Sequence, residues 1–91
     1  MIDLSSKSAV VTGAGQGVGL GIATALAKHG AKVALLGRTF DKVYKASKNL
    51  NKDGLKTIAI ECDVKHVESI DLAIEQIISE FSTINVLINN A

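Results

Sequence analysis

The sequence predicts an α/β fold in which a parallel sheet of about four strands lies between two layers of helices. Short apolar runs alternate with segments of helical periodicity along all 91 residues, and a glycine-rich turn joins the first run to the first helix. Alternation of this kind indicates parallel strands, because parallel neighbours need a crossover connection and a helix supplies it.

The first half of the chain contains two predicted strands and one complete helix between them. A buried strand is predicted at residues 9–11, and it ends at Thr12-Gly13. A helix rich in Ala, Leu and Ile is predicted at 17–29, with Gly30 as its C-terminal stop. The second strand is predicted at 32–36.

The second half repeats this pattern. Thr39 is expected to cap a helix at residues 40–51, and Asp53-Gly54 then turns the chain into a strand at 57–60. The clearest amphipathic helix follows, and the chain ends on an apolar strand at 85–89. The apolar positions of that helix recur at helical spacing: Val67, Ile70, Ile74, Ile77, Ile78 and Phe81.

The β-α-β-α-β-α-β pattern predicts a Rossmann-type sheet with the strand order 3-2-1-4. Right-handed crossovers place the first two helices on one face of the sheet and the third helix on the other. This order creates a switch point between strands 1 and 4, and such sheets bind ligands there, beyond the carboxyl ends of their strands.

Composition sets outer limits on the function. The hydrophobic fraction is 47% and the formal net charge is +1, so we expect one domain, residues 1–91, that binds neither nucleic acid nor a membrane. We expect neither a signal peptide nor a membrane span, because the first residues lack a basic region followed by an apolar core and no apolar run is long enough to cross a bilayer. The lone Cys62 cannot form an intrachain disulfide, and we expect a cytoplasmic protein and a buried, unreactive thiol.

The most informative segment runs from Thr12 to Gly19 and reads T-G-A-G-Q-G-V-G. The G-x-G-x-x-G spacing does not fit it, whereas T-G-x-x-x-G-x-G does, and a P-loop is excluded because no Gly-Lys-Ser/Thr follows. A glycine turn between a strand and a helix lets backbone amides approach a pyrophosphate. The alternative is a turn that only packs the helix on its strand. The predicted cofactor-binding residues here are Gly13, Gly15, Gln16, Gly17, Val18 and Gly19.

These motifs resemble those of the short-chain dehydrogenase/reductase family. Two further signatures occur in the family's order, Asp63-Val64 after the third strand and Asn89-Asn90-Ala91 after the fourth. The resemblance covers the whole chain. It implies an NAD(P)-dependent oxidoreductase that transfers hydride between nicotinamide and a carbonyl or alcohol.

The end of the second strand points to NADP(H). NAD-binding folds place an acid there to accept from the ribose 2′-hydroxyl, but this sequence has Gly37 followed by Arg38. A guanidinium can pair with a 2′-phosphate through two N–H donors. In the family, NADP-preferring members often carry a second basic residue in the glycine loop. Gln16 stands at that place, so NAD(H) stays open, and Arg38 could instead be a solvated loop residue.

The resemblance also assigns residues beyond the third and fourth strands. Asp63 corresponds to the family aspartate that meets the adenine amino group, with Val64 nearby, and Asn90 and Ala91 to a segment along the adenosine ribose. A structural alternative remains for Asp63, because an acid at a strand end can cap the following helix.

No catalytic residue and no metal site are assigned. Tyr44 and Lys48 match the family's Tyr-x-x-x-Lys pair, yet they fall on the second helix, whereas the family motif belongs to a later helix. We therefore expect this chain alone to be inactive as a dehydrogenase, a truncated portion of a longer enzyme. We also expect self-association through the edge of the fourth strand, which truncation leaves unpaired.

Two other function classes remain open. The chain could be a non-catalytic nucleotide-binding or interaction module. It could also be a methyltransferase-like fold that holds S-adenosylmethionine at a similar glycine turn. That class favours an acid at the end of the second strand, and Gly37-Arg38 argues against it.

Overall fold

The computed structural model describes residues 2–90 and confirms the predicted α/β architecture. One parallel sheet has the order β3-β2-β1-β4, as the sequence predicts. The strands are β1 (Ser8–Thr12), β2 (Lys32–Gly37), β3 (Lys56–Glu61) and β4 (Val86–Ile88), and the helices are α1 (Gly17–Lys28), α2 (Phe40–Lys52) and α3 (Val67–Phe81).

No strand boundary differs from the predicted one by more than one residue. Strands β1, β2 and β3 extend beyond the apolar runs because pairing continues through polar or glycine positions, as at Ser8↔Lys32 and Gly37↔Glu61. Strand β4 is shorter than predicted and pairs with β1 only from Val86 to Ile88.

The two faces of the sheet carry separate apolar cores. Val11, Val33 and Leu35 pack with buried residues of α1 and α2 on one face. Val10 and Ala34 point to the other face and pack with α3. Neighbouring residues of a strand alternate between faces, so the short apolar runs can serve both cores. The helices therefore lie on the predicted sides.

The helix ends follow the predicted signals with one exception. Gly30 lies just past the end of α1 at φ 103°, and its N–H donates to the Ala27 carbonyl at 3.0 Å. Thr39 occupies the position before α2, but its side chain makes no hydrogen bond to the helix, so the predicted side-chain cap was wrong. Its carbonyl instead accepts the Lys42 N–H at 3.1 Å, and the backbone alone closes the first turn.

Within residues 2–90, none of the helices combines the length and the apolar character needed to traverse a bilayer.

Candidate nucleotide site at the carboxyl ends of the strands

The β1–α1 loop has the backbone that its glycines predict. Gly13 and Gly17 adopt φ values of 60° and 61°, in the left-handed region that residues with a Cβ rarely adopt. Gln16 is the N-cap residue of α1 and makes no side-chain hydrogen bond to the helix. The first-turn amides of α1 are therefore available to another acceptor, and the helix dipole favours an anion.

Gly19 has a different reason to be glycine. A Cβ at this position would overlap the carbonyl oxygen of Gly13 and lie 2.6 Å from Nδ2 of Asn90. The Asn90 side chain itself donates to the Gly13 carbonyl at 3.3 Å. The absence of a Cβ at Gly19 thus lets α1, the loop and the segment after β4 meet at one point.

Thr12 joins the carboxyl end of β1 to the segment that follows β4. Its hydroxyl accepts the backbone N–H of Asn90 at 2.9 Å and lies 3.2 Å from Oδ1 of Asn89, to which it can donate. The side chain is 6% exposed, so these bonds are sheltered from water. Thr12 therefore fixes the segment after β4 at the switch point between β1 and β4. The glycine-loop motif alone did not predict this role.

A cavity of about 330 Å³ opens beside the loop at the carboxyl ends of β1, β2 and β3. It brings together four of the sequence-predicted residues: Gly13, Arg38, Asp63 and Val64. Thr12, Gly37, Cys62 and Lys65 complete its lining. Gly15 to Gly19 lie outside this lining, around the start of α1, and Asn90 contacts the loop through Gly13. Ala91 lies outside the described residues.

Asp63 organises the turn before α3 rather than capping that helix. Its Oδ1 accepts the Lys65 N–H at 3.0 Å, and its Oδ2 lies 3.6 Å from Nε2 of His66. Its own N–H donates to Oγ of Ser69 at 2.9 Å. Helix α3 begins at Val67 with His66 as its N-cap, so the capping alternative is wrong.

Two cations flank the glycine loop, and the sequence pattern predicted a cofactor-binding role for only one of them, Arg38. Arg38 is exposed at the end of β2. Lys42, in the first turn of α2, donates from Nζ to Oε1 of Gln16 at 3.1 Å. Within residues 2–90, the only basic and acidic side chains within 4 Å of each other are His66 and Asp63, so no carboxylate neutralises Arg38 or Lys42. The sequence feature that could have indicated Lys42 is its place four positions after Arg38, in the first turn of the predicted helix.

Tyr44 and Lys48 lie on α2, away from the cavity. Tyr44 is 49% exposed and its ring stacks on Phe40 with the ring centroids 5.5 Å apart. Both residues line a separate shallow groove against β3. Cys62 is buried, as predicted. In the part of the chain that the structure describes, no three His, Cys, Asp or Glu side chains cluster as a metal site would require.

The glycine loop and the parallel sheet agree with the similarity of this chain to a known family. The model of the short chain dehydrogenase family matches residues 7–91. The chain belongs to the short chain dehydrogenase family.

Individual relatives support the same assignment. The chain is 34% identical over 91 residues to 5-keto-D-gluconate 5-reductase of Escherichia coli strain K12. Among solved structures, a hydroxysteroid dehydrogenase from E. coli superposes with a TM-score of 0.95 at 29% identity, covering 98% of this chain. L-sorbose reductase from Gluconobacter frateurii, complexed with NADPH and L-sorbose, has a TM-score of 0.92 at 36% identity over 98% of this chain.

These relatives are much longer proteins. The chain spans 36% of the 5-keto-D-gluconate 5-reductase, 38% of the hydroxysteroid dehydrogenase chain and 34% of the L-sorbose reductase chain.

Proposed function

We propose that residues 1–91 form the dinucleotide-binding domain of a short chain dehydrogenase and that this domain prefers NADP(H). The observation that carries the proposal is the uncapped N-terminus of α1 behind a loop whose Gly13 and Gly17 need positive φ. Those amides would hold the pyrophosphate. The adjoining cavity, lined by Asp63 and Val64, would take the adenosine.

The cofactor preference is argued from the end of β2. Gly37 leaves no carboxylate to repel a 2′-phosphate, and Arg38 lines the same cavity with its guanidinium unpaired by any carboxylate of residues 2–90. A charge-assisted, two-donor contact to phosphate is the strong kind of hydrogen bond. That L-sorbose reductase, 36% identical to this chain, was crystallised with NADPH supports the preference.

The reaction proposed for the intact protein is hydride transfer between a carbonyl and the corresponding alcohol. The nicotinamide would supply or accept the hydride. In this proposal the chain's own residues bind and orient the cofactor, and the group that moves the proton belongs to another part of the intact protein. The domain alone would therefore bind NADP(H) without turning it over.

Calorimetric titration tests the proposal directly. We expect NADP⁺ to bind more tightly than NAD⁺, and S-adenosylmethionine not to bind. The Arg38→Ala variant should lose most of the preference for NADP⁺, because the guanidinium is proposed to bind the 2′-phosphate that distinguishes the two dinucleotides. Tighter binding of S-adenosylmethionine, or no response to either dinucleotide at millimolar concentration, would refute the assignment.

A second assay separates a cofactor domain from a complete enzyme. We expect no loss of NADPH absorbance when the chain is mixed with L-sorbose or 5-keto-D-gluconate. Turnover would show that residues 1–91 carry the chemistry. Binding of dinucleotides without turnover is the result expected both for the cofactor domain of a longer enzyme and for a non-catalytic nucleotide-binding module. The presence of a later Ser and Tyr-x-x-x-Lys in the same reading frame would then favour the domain.

The proposal also includes self-association of the chain and its location in the cell. Strand β4 pairs only with β1 among the described residues, so its outer edge is free to pair with a second copy of the chain. Equilibrium sedimentation should show a dimer or larger species, and a clean monomer would contradict this. We propose a cytoplasmic location, which fractionation of the source cells would test.

A further inference from the structure

We propose that Lys42 is a second cation for the 2′-phosphate and that Gln16 holds its ammonium group beside the glycine loop. The inference rests on the proposed preference for NADP(H). It identifies a residue of α2 as a determinant of that preference. It also explains why the glycine loop can have Gln16 at a position where a basic side chain would itself contact the 2′-phosphate.

The first turn of α2 lies directly against the glycine loop. A Cβ at Gly15 would lie 2.9 Å from Cβ of Lys42, so the two backbones approach this closely only because residue 15 is glycine. The Lys42 N–H donates to the Thr39 carbonyl at 3.1 Å, which fixes the residue in the helical turn. The base of the lysine side chain is therefore held at the loop.

The far end of the side chain is held by a hydrogen bond. Nζ of Lys42 donates to Oε1 of Gln16 at 3.1 Å. An ammonium carries three donors and this bond uses one, so two remain for an anion. With its oxygen occupied, the Gln16 amide also presents its NH₂ group as a donor. The pair is thus equivalent to a basic residue reaching out of the loop itself.

Charge distribution favours a dianion at this place. Arg38 and Lys42 are both exposed, and within residues 2–90 neither lies within ion-pair distance of a carboxylate. Asp41 is the neighbour of Lys42 in sequence, but it is exposed and forms no ion pair in that range. A phosphate monoester carries close to two negative charges near neutral pH and accepts several hydrogen bonds. Two uncompensated cations that flank one loop match that charge.

The test compares dinucleotide affinities of matched variants by calorimetry on the full chain. Lys42→Met should weaken NADP⁺ binding by about 5- to 20-fold, the range expected for an exposed, charge-assisted contact to phosphate. NAD⁺ binding should change by less than about 2-fold, because it lacks the phosphate and the glycine loop is intact. Lys42→Arg keeps the charge and should keep most of the NADP⁺ affinity.

Lys48→Met provides the matched control. It removes the same charge from an exposed position of α2, about 9 Å further along the helix axis. It should leave both affinities unchanged. Equal losses in Lys42→Met and Lys48→Met, or an equal loss for NAD⁺ and NADP⁺ in Lys42→Met, would overturn the inference.

The Arg38→Ala variant distinguishes failure of this inference from failure of the proposed function. If Arg38→Ala abolishes the preference and Lys42→Met does not alter it, the role of Lys42 is wrong and the proposed function stands. If the wild-type chain does not prefer NADP⁺, or binds neither dinucleotide, both are wrong.

Discussion

At the scale of single residues, two glycines of α1 are predicted to respond in opposite directions to the same substitution. A Cβ at Gly19 would overlap the Gly13 carbonyl and crowd Asn90, whereas a Cβ at Gly21 would meet nothing within 4 Å. Gly19→Ala should lower the free energy of unfolding by about 1–3 kcal/mol because overpacking forces α1 away from the loop. Urea denaturation would measure this loss.

Gly21→Ala is the control for helix propensity. It should raise the free energy of unfolding by about 0.5–1 kcal/mol, since alanine loses less backbone entropy than glycine in a helix. Gly19→Ala should also weaken NADP⁺ binding, while Gly21→Ala should not. Equal stabilities of the two variants would show that the contact at Gly19 is not tight.

The Thr12 hydroxyl is predicted to stabilise the junction of β1 and β4. Thr12→Val keeps the shape of the side chain but removes the acceptor of the Asn90 N–H and the partner of Asn89. The loss should be about 1–2 kcal/mol in the free energy of unfolding. Thr12→Ser keeps the hydroxyl and should recover much of it. A denaturation midpoint of Thr12→Val equal to that of the wild type would contradict this role.

Residue-level features of the site were only partly predictable from the sequence. The positive φ of Gly13 and Gly17 follows from the loop motif, because glycine is the residue that tolerates it. The bond between Lys42 and Gln16 was not predictable, since it depends on how closely α2 packs against the loop. The role of Asp63 in its local turn likewise depends on where α3 begins.

At the scale of elements, a side chain of α2 pairs with the outer edge of β3 at Thr57. The backbone N–H of Thr57 donates to Oδ1 of Asn51 at 2.9 Å, and Nδ2 of Asn51 donates to the Thr57 carbonyl at 3.1 Å. The Thr57 hydroxyl also contacts Ser47, with the two oxygens 2.6 Å apart. The Asn51 amide thus satisfies backbone groups of an edge strand that would otherwise be open to pairing.

Asn51→Ala should therefore destabilise the chain and expose the β3 edge. We expect a loss of about 1–2 kcal/mol in the free energy of unfolding, because Asn51 is itself exposed and water replaces part of the bonding. Aggregation on heating should increase. Asn49→Ala, at an exposed position of the same helix, is the control and should change neither property. Identical melting of the two variants would refute the edge-closing role.

The elements themselves were predictable because periodicity and turn chemistry agreed throughout the chain. Helix α3 runs from Val67 to Phe81, the first and last of the apolar positions that predicted it, and Gly30 and Gly54 both have positive φ just after a helix end. The side-chain cap by Thr39 was wrong, since the backbone bond from Lys42 closes the turn without it. Strand ends shifted because pairing with a neighbour, and not local apolarity, decides where a strand stops.

At the scale of the whole molecule, the two faces of the sheet are covered unequally. Helices α1 and α2 cover one face, while α3 alone covers the other in the described residues. Beside α3 an apolar groove of about 350 Å³ runs along β1 and β4. Ile74 and Leu87, which line it, are 44% and 65% exposed. Exposed apolar surface of this kind, next to a strand edge that is unpaired among residues 2–90, favours association.

Leu87 and Leu72 allow the proposed self-association to be tested with matched substitutions. Leu87 lies on β4 in the groove, and Leu72 lies on α3 outside the groove lining with a similar exposure, 66%. Leu87→Lys should weaken self-association by about tenfold or more, because a charge would have to be desolvated where copies meet. Leu72→Lys adds the same charge without touching the groove and should leave association as in the wild type. Sedimentation equilibrium over a range of concentrations measures both constants. Equal weakening in the two variants would show that net charge causes the effect. If Leu87→Lys associates as strongly as the wild type, the interface does not include this part of β4.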